Sequence, residues 1–331
     1  MTNPGVSEVH LSQPPERPSA FGGEQLIRPD VLRIRLPLSN AFLLGHPGEP
    51  WVLVDAGTPG SASMILSAVE RRFGPGAVPE AIVLTHGHLD HIGGLFALRR
   101  HWPEVPIFAH SLELPYLTGR SAYPPPDPSV GGSMSVVSPL FVPGPFDFRP
   151  QVQPFPEVSA LKALTGWTVI PTPGHAPGHV SLWRGSDRVL IAGDAFVTTV
   201  QESALSALSL RPRVVHRPPA YYTPDWDAAR DSVKRLAALA PDLALTGHGD
   251  PVAGEELRTT LQALALNFDQ SARPKKGRYI RQPAVTDASG VVSLPPLGAS
   301  MLRPAILVTG LLALWFLRRR GRNHRTATLR D

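Results

Sequence analysis

The chain has 331 residues, no cysteine, 42% hydrophobic residues and a formal net charge of +5. The missing cysteine excludes disulfides, thiol nucleophiles and every metal site that needs a thiolate. The charge sits at one end: residues 318–331 carry six Arg and one Asp, and the rest of the chain holds 26 basic and 26 acidic side chains. A neutral body lacks the local excess of Lys and Arg that phosphate binding needs, so no nucleic-acid partner is expected.

Residues 1–25 are polar and proline-rich, with no apolar run to act as a signal peptide. They are expected to form a flexible leader to a cytoplasmic domain. Val31–Leu36 alternates as a half-buried strand does. Trp51–Val54 is a short apolar strand stopped by Asp55-Ala56-Gly57. Apolar residues at 64, 65, 68, 69 and 73 predict a helix over Ser61–Phe73. Ala81–Leu84 is a buried strand running into Thr85-His86-Gly87-His88-Leu89-Asp90-His91, and Gly93–Arg100 is helical. Residues 115–156 hold 11 prolines, a density at which no regular element is expected. Strands resume at Trp167–Ile170, Val180–Trp183 and Arg188–Ala192. Asp225–Ala240 is an amphipathic helix between Pro224 and Pro241, Leu243–Leu245 is a strand, and Glu255–Phe268 is a helix. This alternation places the fold in the α/β or α+β class.

The strongest chemical signal is His86-x-His88-x-Asp90-His91, four metal-ligand side chains just past a buried strand. Neutral imidazole and carboxylate suit Zn²⁺ and similar metals, and Gly87 lets the backbone turn tightly. His175, Asp194 and His248 each sit where an apolar strand opens into a glycine turn, the place where sheets build sites. His179 is expected to support this region rather than to ligate, and Tyr221 and Tyr222 to form a packed aromatic pair. His10, His46, His101, His110, His216 and His324 have no partner motif.

The order HxHxDH, then His175 in TPGHAPGH, Asp194 in AGDA and His248 in TGHG, resembles the metallo-β-lactamase-fold hydrolase superfamily, in its glyoxalase II-like and lactonase-like branch. The resemblance runs from about Leu26 to Leu266 and includes Asp55 in VLVDAG. It implies an α+β fold, a four-layer αββα sandwich with the metals at one edge of the two sheets. It also implies that His86, His88 and His175 hold one metal, that Asp90, His91 and His248 hold a second, and that Asp194 bridges them. Asp55 would then fix a ligand loop by hydrogen bonds. Two zinc ions are the expected cofactors, with iron or manganese as alternatives. The implied reaction is attack by a metal-bridging hydroxide on a thioester, lactone or other ester, with Asp90 relaying a proton to the leaving group. Cysteine-ligand β-lactamases are excluded by composition. All-histidine secreted ones are excluded by Asp194 and the missing signal. Nucleases with a large inserted domain are excluded by the short stretch from Asp194 to His248. A mononuclear iron oxygenase resembling persulfide dioxygenases is the alternative. A non-catalytic scaffold is disfavoured by the intact ligand set.

The proline-rich residues 115–148 are expected to wall the substrate pocket, through Tyr116, Tyr123, Met134, Phe141, Phe146 and Phe148. The sequence divides into a catalytic domain at 26–268, a basic linker at 269–303, a hydrophobic segment at 304–317 and a basic tail at 318–331. The 14 nearly unbroken apolar residues of Pro304–Leu317, beyond a complete hydrolase domain and abutted by arginines, are expected to form a C-terminal hydrophobic, transmembrane helix. Residues 301–320 would then associate a cytoplasmic enzyme with a membrane.

Overall fold

The computed structural model describes residues 21–156 and 161–297. One sheet holds seven strands in chain order: β1 (Glu24–Arg28), β2 (Val31–Arg35), β3 (Asn40–Leu44), β4 (Val52–Val54), β5 (Ala81–Val83), β6 (Ile107–Ala109) and β7 (Val152–Pro154). The first four pair antiparallel, and β4 to β7 run parallel. The second sheet is built from β8 (Trp167–Pro171), β9 (Val180–Arg184), β10 (Val189–Gly193), β11 (Leu243–Thr246) and β12 (Val252–Ala253), in the order β12-β11-β10-β9-β8. Only its β10–β11 pair is parallel. A hairpin of β13 (Val285–Asp287) and β14 (Gly290–Ser293) forms a third sheet.

Parallel neighbours require crossovers. Helix α1 (Ala62–Phe73) links β4 to β5. Helices α2 (Leu89–Ile92) and α3 (Leu95–His101) follow β5, and α4 (Leu114–Leu117) and α5 (Ser133–Val137) follow β6. Helices α6 (Ala204–Ser209) and α7 (Trp226–Ala238) link β10 to β11, and α8 (Gly254–Leu266) follows β12. The α7 start is fixed by Asp225, whose carboxylate accepts from the backbone N–H of Asp227 and Ala228 at 3.1 and 3.0 Å, a cap worth about 1 kcal/mol.

The period of two in the strands sorts the core into layers. Leu43, Leu53 and Ile82 face Ile65 and Ala68 of α1. Their neighbours Phe42, Leu44, Val52 and Val54 face the other way and meet Leu182, Val189, Ile191 and Leu245 of the second sheet. On that sheet's far face, Leu190, Ala192 and Ala244 pack with Trp226 and Leu236 of α7 and Leu257 and Leu261 of α8. The stacking is helix, sheet, sheet, helix. Each large aliphatic side chain buried in these layers contributes roughly 1.5–3 kcal/mol.

Three sequence expectations change. Arg33 falls on the alternation's polar phase, yet it is only 1% exposed, because Asn40, Gln25, Gly249 and Asp250 satisfy its guanidinium. The proline-rich stretch does hold regular structure: α4, α5 and β7 lie within or overlap it. Proline is tolerated at a helix's first turn, where Pro115 sits, and at a strand end, where Pro154 sits. Residues 269–297, expected as a linker, pack back on the body. Tyr279 Oη donates to Pro125 O at 2.7 Å and Val291 N to Ser121 Oγ at 3.1 Å.

The membrane expectation is corrected. Among the described residues, no helix is long and apolar enough to cross a membrane. The segment 301–320 and the hydrophobic helix assigned to 304–317 lie outside the described residues. Fourteen apolar residues in helical form would reach ~21 Å, short of a ~30 Å hydrocarbon core.

Candidate metal centre

Beyond β5 the chain passes through Thr85 into His86, Gly87 and His88. His88 keeps an extended backbone and opens the one-turn helix α2, which carries Asp90 and His91. From the second sheet, His175 lies on the β8–β9 connection, Asp194 directly follows β10, and His248 follows β11. Two backbone bonds join the sheet ends here: Val180 N donates to Thr85 O at 2.9 Å, and Asn40 N to Gly247 O at 2.8 Å. All seven residues singled out from the sequence therefore meet at one edge of the two sheets.

They form three overlapping donor sets. These are His86 with His88 and His175; His86 with His91 and Asp194; and Asp90 with His91 and His248. Within each set the donor atoms lie within 4.8 Å of one another. Asp194 Oδ2 stands among the histidines, 2.9 Å from His248 Nε2, 3.5 Å from His175 Nε2 and 3.6 Å from His91 Nε2. His88 turns its Nδ1 to His175 Nε2 at 3.0 Å. Asp90 Oδ2 lies 3.4 Å from His248 Nε2. The six other residues are buried, while the Asp90 side chain is 30% exposed. Gly247 makes the close fit possible, since a Cβ there would sit 2.1 Å from Asp194 Oδ1.

Hydrogen bonds around the cluster fix which ring nitrogen faces inward. Asp55 Oδ1 accepts from Thr85 N at 2.8 Å, and its Oδ2 accepts from Thr85 Oγ1 at 2.7 Å. The Thr85 hydroxyl has thus spent its proton and accepts from His86 Nδ1 at 3.0 Å. Asp55 Oδ2 also accepts from His91 Nδ1 at 2.9 Å. Leu38 O accepts from His248 Nδ1 at 2.5 Å. In all three histidines Nδ1 is engaged outward, so Nε2 is the nitrogen that faces the cluster. His179 does support rather than join the cluster: its Nε2 accepts from Asp194 N at 2.9 Å, and its Nδ1 donates to Thr172 Oγ1 at 2.8 Å.

Burial pushes His86 and His175 well below the ordinary histidine range, and His88 down to about 4. They are neutral at pH 7, the form that donates a lone pair. Burial alone would raise Asp194, but His248 and His91 hold it well below the usual carboxylate range. Against the pull of burial, Asp194 in turn raises His91 and His248 above the ordinary histidine range, so its negative charge sits between three neutral imidazoles and two that favour the protonated form. His86 Nε2 and Asp194 Oδ1 are buried with no hydrogen-bond partner among the described residues. Orphaned acceptors of this kind cost about 1–3 kcal/mol each, and a cation relieves both. The residues fit a divalent metal.

Sequence reasoning missed several supports. Glu113 is fully buried. Its Oε2 accepts from Gly87 N at 2.9 Å and from Tyr123 Oη, and its Oε1 accepts from Gly178 N at 2.7 Å. It ties the His86–His88 loop to the His175 loop, and the Tyr123 ring lies 4.8 Å from that of His88. Arg33 and Asn40 brace the His248 loop through Gly249 O, at 2.9 Å each. None of these sits near a ligand motif in sequence.

A cavity of about 190 Å³ opens beside Asp90 and His248. Met134, Leu140, Phe141 and Val142 of the proline-rich stretch line it together with Tyr221 and Tyr222, whose rings lie 5.6 and 6.1 Å from that of Phe141. Of the aromatic residues expected in that wall, Phe146 and Phe148 pack in the first core layer instead, and Tyr116 stacks on Tyr123. Tyr221 and Tyr222 do pack together, with centroids 5.6 Å apart, and Tyr222 also stacks on His88 at 4.4 Å.

Residues 34–248 match the model of the metallo-beta-lactamase superfamily. The chain is 44% identical over 235 residues to the probable metallo-hydrolase YflN of Bacillus subtilis, covering 70% of this chain and 88% of that protein. A hydroxyacylglutathione hydrolase of Pectobacterium atrosepticum is 40% identical over only 67 residues, covering 20% of this chain and 24% of that protein. A beta-lactamase domain protein from Burkholderia ambifaria shares the fold, with a TM-score of 0.51, 22% identity and coverage of 76% of this chain and 77% of that one. On the family match and the similarity to the Bacillus subtilis protein, this chain belongs to the metallo-β-lactamase superfamily.

Proposed function

We propose that this metal-dependent hydrolase holds two zinc ions and cleaves a small-molecule thioester, lactone or other ester. The observation that carries the reading is the central Asp194 carboxylate, within 3.6 Å of histidines from both donor sets. His86, His88 and His175 would hold one cation, Asp90, His91 and His248 the other, and Asp194 both. Donor sets of imidazole and carboxylate without sulfur suit zinc, with iron and manganese as the competing metals. Two cations held there would supply Lewis acidity toward a carbonyl and toward water.

The chain's own residues do the rest. Asp90 is the one exposed carboxylate of the cluster and lines the cavity. It is placed to take a proton from the attacking water and hand it to the departing oxygen or sulfur. The cavity walls hold the acyl group and keep bulk water from the carbonyl.

The test is Asp194→Ala. Metal per chain, measured by mass spectrometry of the purified protein, is expected to fall from two to one or none. Ester and thioester turnover is expected to fall by at least a thousandfold, roughly 4 kcal/mol of barrier. A variant that keeps two metals and full turnover overturns the reading.

A further inference from the structure

The cavity beside Asp90 and His248 is unusual in its charge. Among the described residues no Lys or Arg lines it, and Asp90 is the only carboxylate that does. The other lining residues are apolar or aromatic apart from His248, Gln201 and Thr58. At the mouth, Leu140 and Val142 are 55% and 51% exposed, apolar surface that a bound ligand would cover. The volume of about 190 Å³ is somewhat larger than an apolar cavity of roughly 150 Å³ that accepts benzene. One residue ties the Met134 segment to the segment that carries the two tyrosines. Glu202 O accepts from Met134 N at 3.0 Å, and Glu202 Oε1 accepts from Ala220 N at 3.1 Å, just ahead of the two tyrosines. The cavity is therefore a fixed feature rather than a gap between independent loops.

Resting on the hydrolase reading above, we propose that the substrate is a neutral ester, lactone or thioester whose acyl side is an apolar group of about five to seven carbons, or a ring of that size. Glutathione thioesters, with two carboxylates and no Lys or Arg among the described lining residues to meet them, would be poor substrates. In the reaction a water oxygen bonds to the carbonyl carbon and the carbon–oxygen or carbon–sulfur bond breaks. The leaving group departs with the proton relayed by Asp90, giving a carboxylic acid and an alcohol or thiol.

The experiment measures kcat/KM of the metal-loaded full chain for N-acetylcysteamine thioesters from acetyl to octanoyl, alongside S-lactoylglutathione. The expected result is a rise of about fourfold per added methylene up to about hexanoyl. The hexanoyl thioester should exceed S-lactoylglutathione at least a hundredfold. Phe141→Ala is expected to flatten the rise, and Leu140→Lys to move preference toward the glutathione thioester. A flat series, or a preference of the wild-type protein for S-lactoylglutathione, overturns this proposal while leaving the hydrolase reading intact. Absence of turnover on every thioester, and on the p-nitrophenyl esters and lactones of the same acyl lengths, with two metals bound, overturns both.

Discussion

Asp55 Oδ2 lies 2.9 Å from His91 Nδ1, while the same carboxylate holds Thr85, which in turn holds His86. One acid therefore orients a histidine of each proposed metal set. It does so from a left-handed backbone, with φ of 58°, a conformation that Asp and Asn tolerate better than other side chains with a Cβ. Asp55→Asn keeps that backbone but removes the charge and turns an amide donor toward either Thr85 N or the Thr85 hydroxyl and His91 Nδ1, so it weakens the brace on both rings. Metal affinity measured by chelator competition is expected to fall 10–100-fold, with melting temperature lowered by a few degrees. Unchanged affinity would show that the loops alone hold both rings.

Glu113 is the second organiser, and it works between loops rather than between ligands. Burial pushes its carboxyl above the usual range, and three donors pull it back. Glu113→Gln has nearly the same shape, but its amide must turn a donor toward Gly87 N, Gly178 N or Tyr123 Oη. One buried donor is then left facing another, at a cost of about 1–3 kcal/mol. The expected outcome is a tenfold or greater loss of metal affinity and a lower melting temperature in the metal-free protein. Turnover should recover in part when metal is supplied in excess. Equal chelator resistance in the two proteins would exclude a positioning role.

The seven clustered residues were legible in sequence because each lies in a short glycine-flanked turn at the end of an apolar run. His86 to His91 even shares one such turn. Helix α7 was legible too, since Pro224, Asp225 and Pro241 mark its ends locally. Glu113 and Arg33 were not, because their partners are distant in sequence: Gly178 for one, Gly249 and Asp250 for the other. A lone Glu or Arg reads as solvent-facing until the fold encloses it. The same reason hid residues 269–297. Their basic PKKGR run suggested a solvated linker, whereas the neighbouring Tyr279 is buried at 3% exposure.

Glu202 supplies a pH test away from the candidate metal cluster. Burial would raise its carboxyl, but the His216 hydrogen bond and the Arg217 charge lower it to about 2 from an ordinary 4.5. A carboxyl lowered in the folded state stabilises the protein above its unfolded value. That stability is lost as pH falls from 4.5 toward 2. The contribution is about 3 kcal/mol at neutral pH. Glu202→Gln is expected to lower stability at pH 7 and to flatten the loss of stability between pH 5 and 3, measured by urea unfolding across that range. A variant with the wild-type pH slope would place acid sensitivity elsewhere.

The strap of residues 269–297 gives the last prediction, in which stability and the metal centre are linked. Arg278 N donates to the buried Asp127 Oδ2 at 2.5 Å, Ala284 N to Pro224 O at 3.1 Å and Val291 N to Ser121 Oγ at 3.1 Å. Val291 also packs on the Tyr116, Tyr123 and Ala176 cluster, and Tyr123 leans on His88 and bonds Glu113. A chain ending at Phe268 loses these bonds and the burial of Tyr279, while a chain ending at Leu297 keeps them. Losing one large buried ring alone costs about 3–5 kcal/mol. That corresponds to a melting temperature lower by about 10 °C for a body of this size. Because the strap backs the Tyr123 ring, the shorter chain is also expected to release metal to a chelator more readily than the longer one. Equal melting temperatures and equal metal retention in the two chains would show that the strap rests on the body without supporting it.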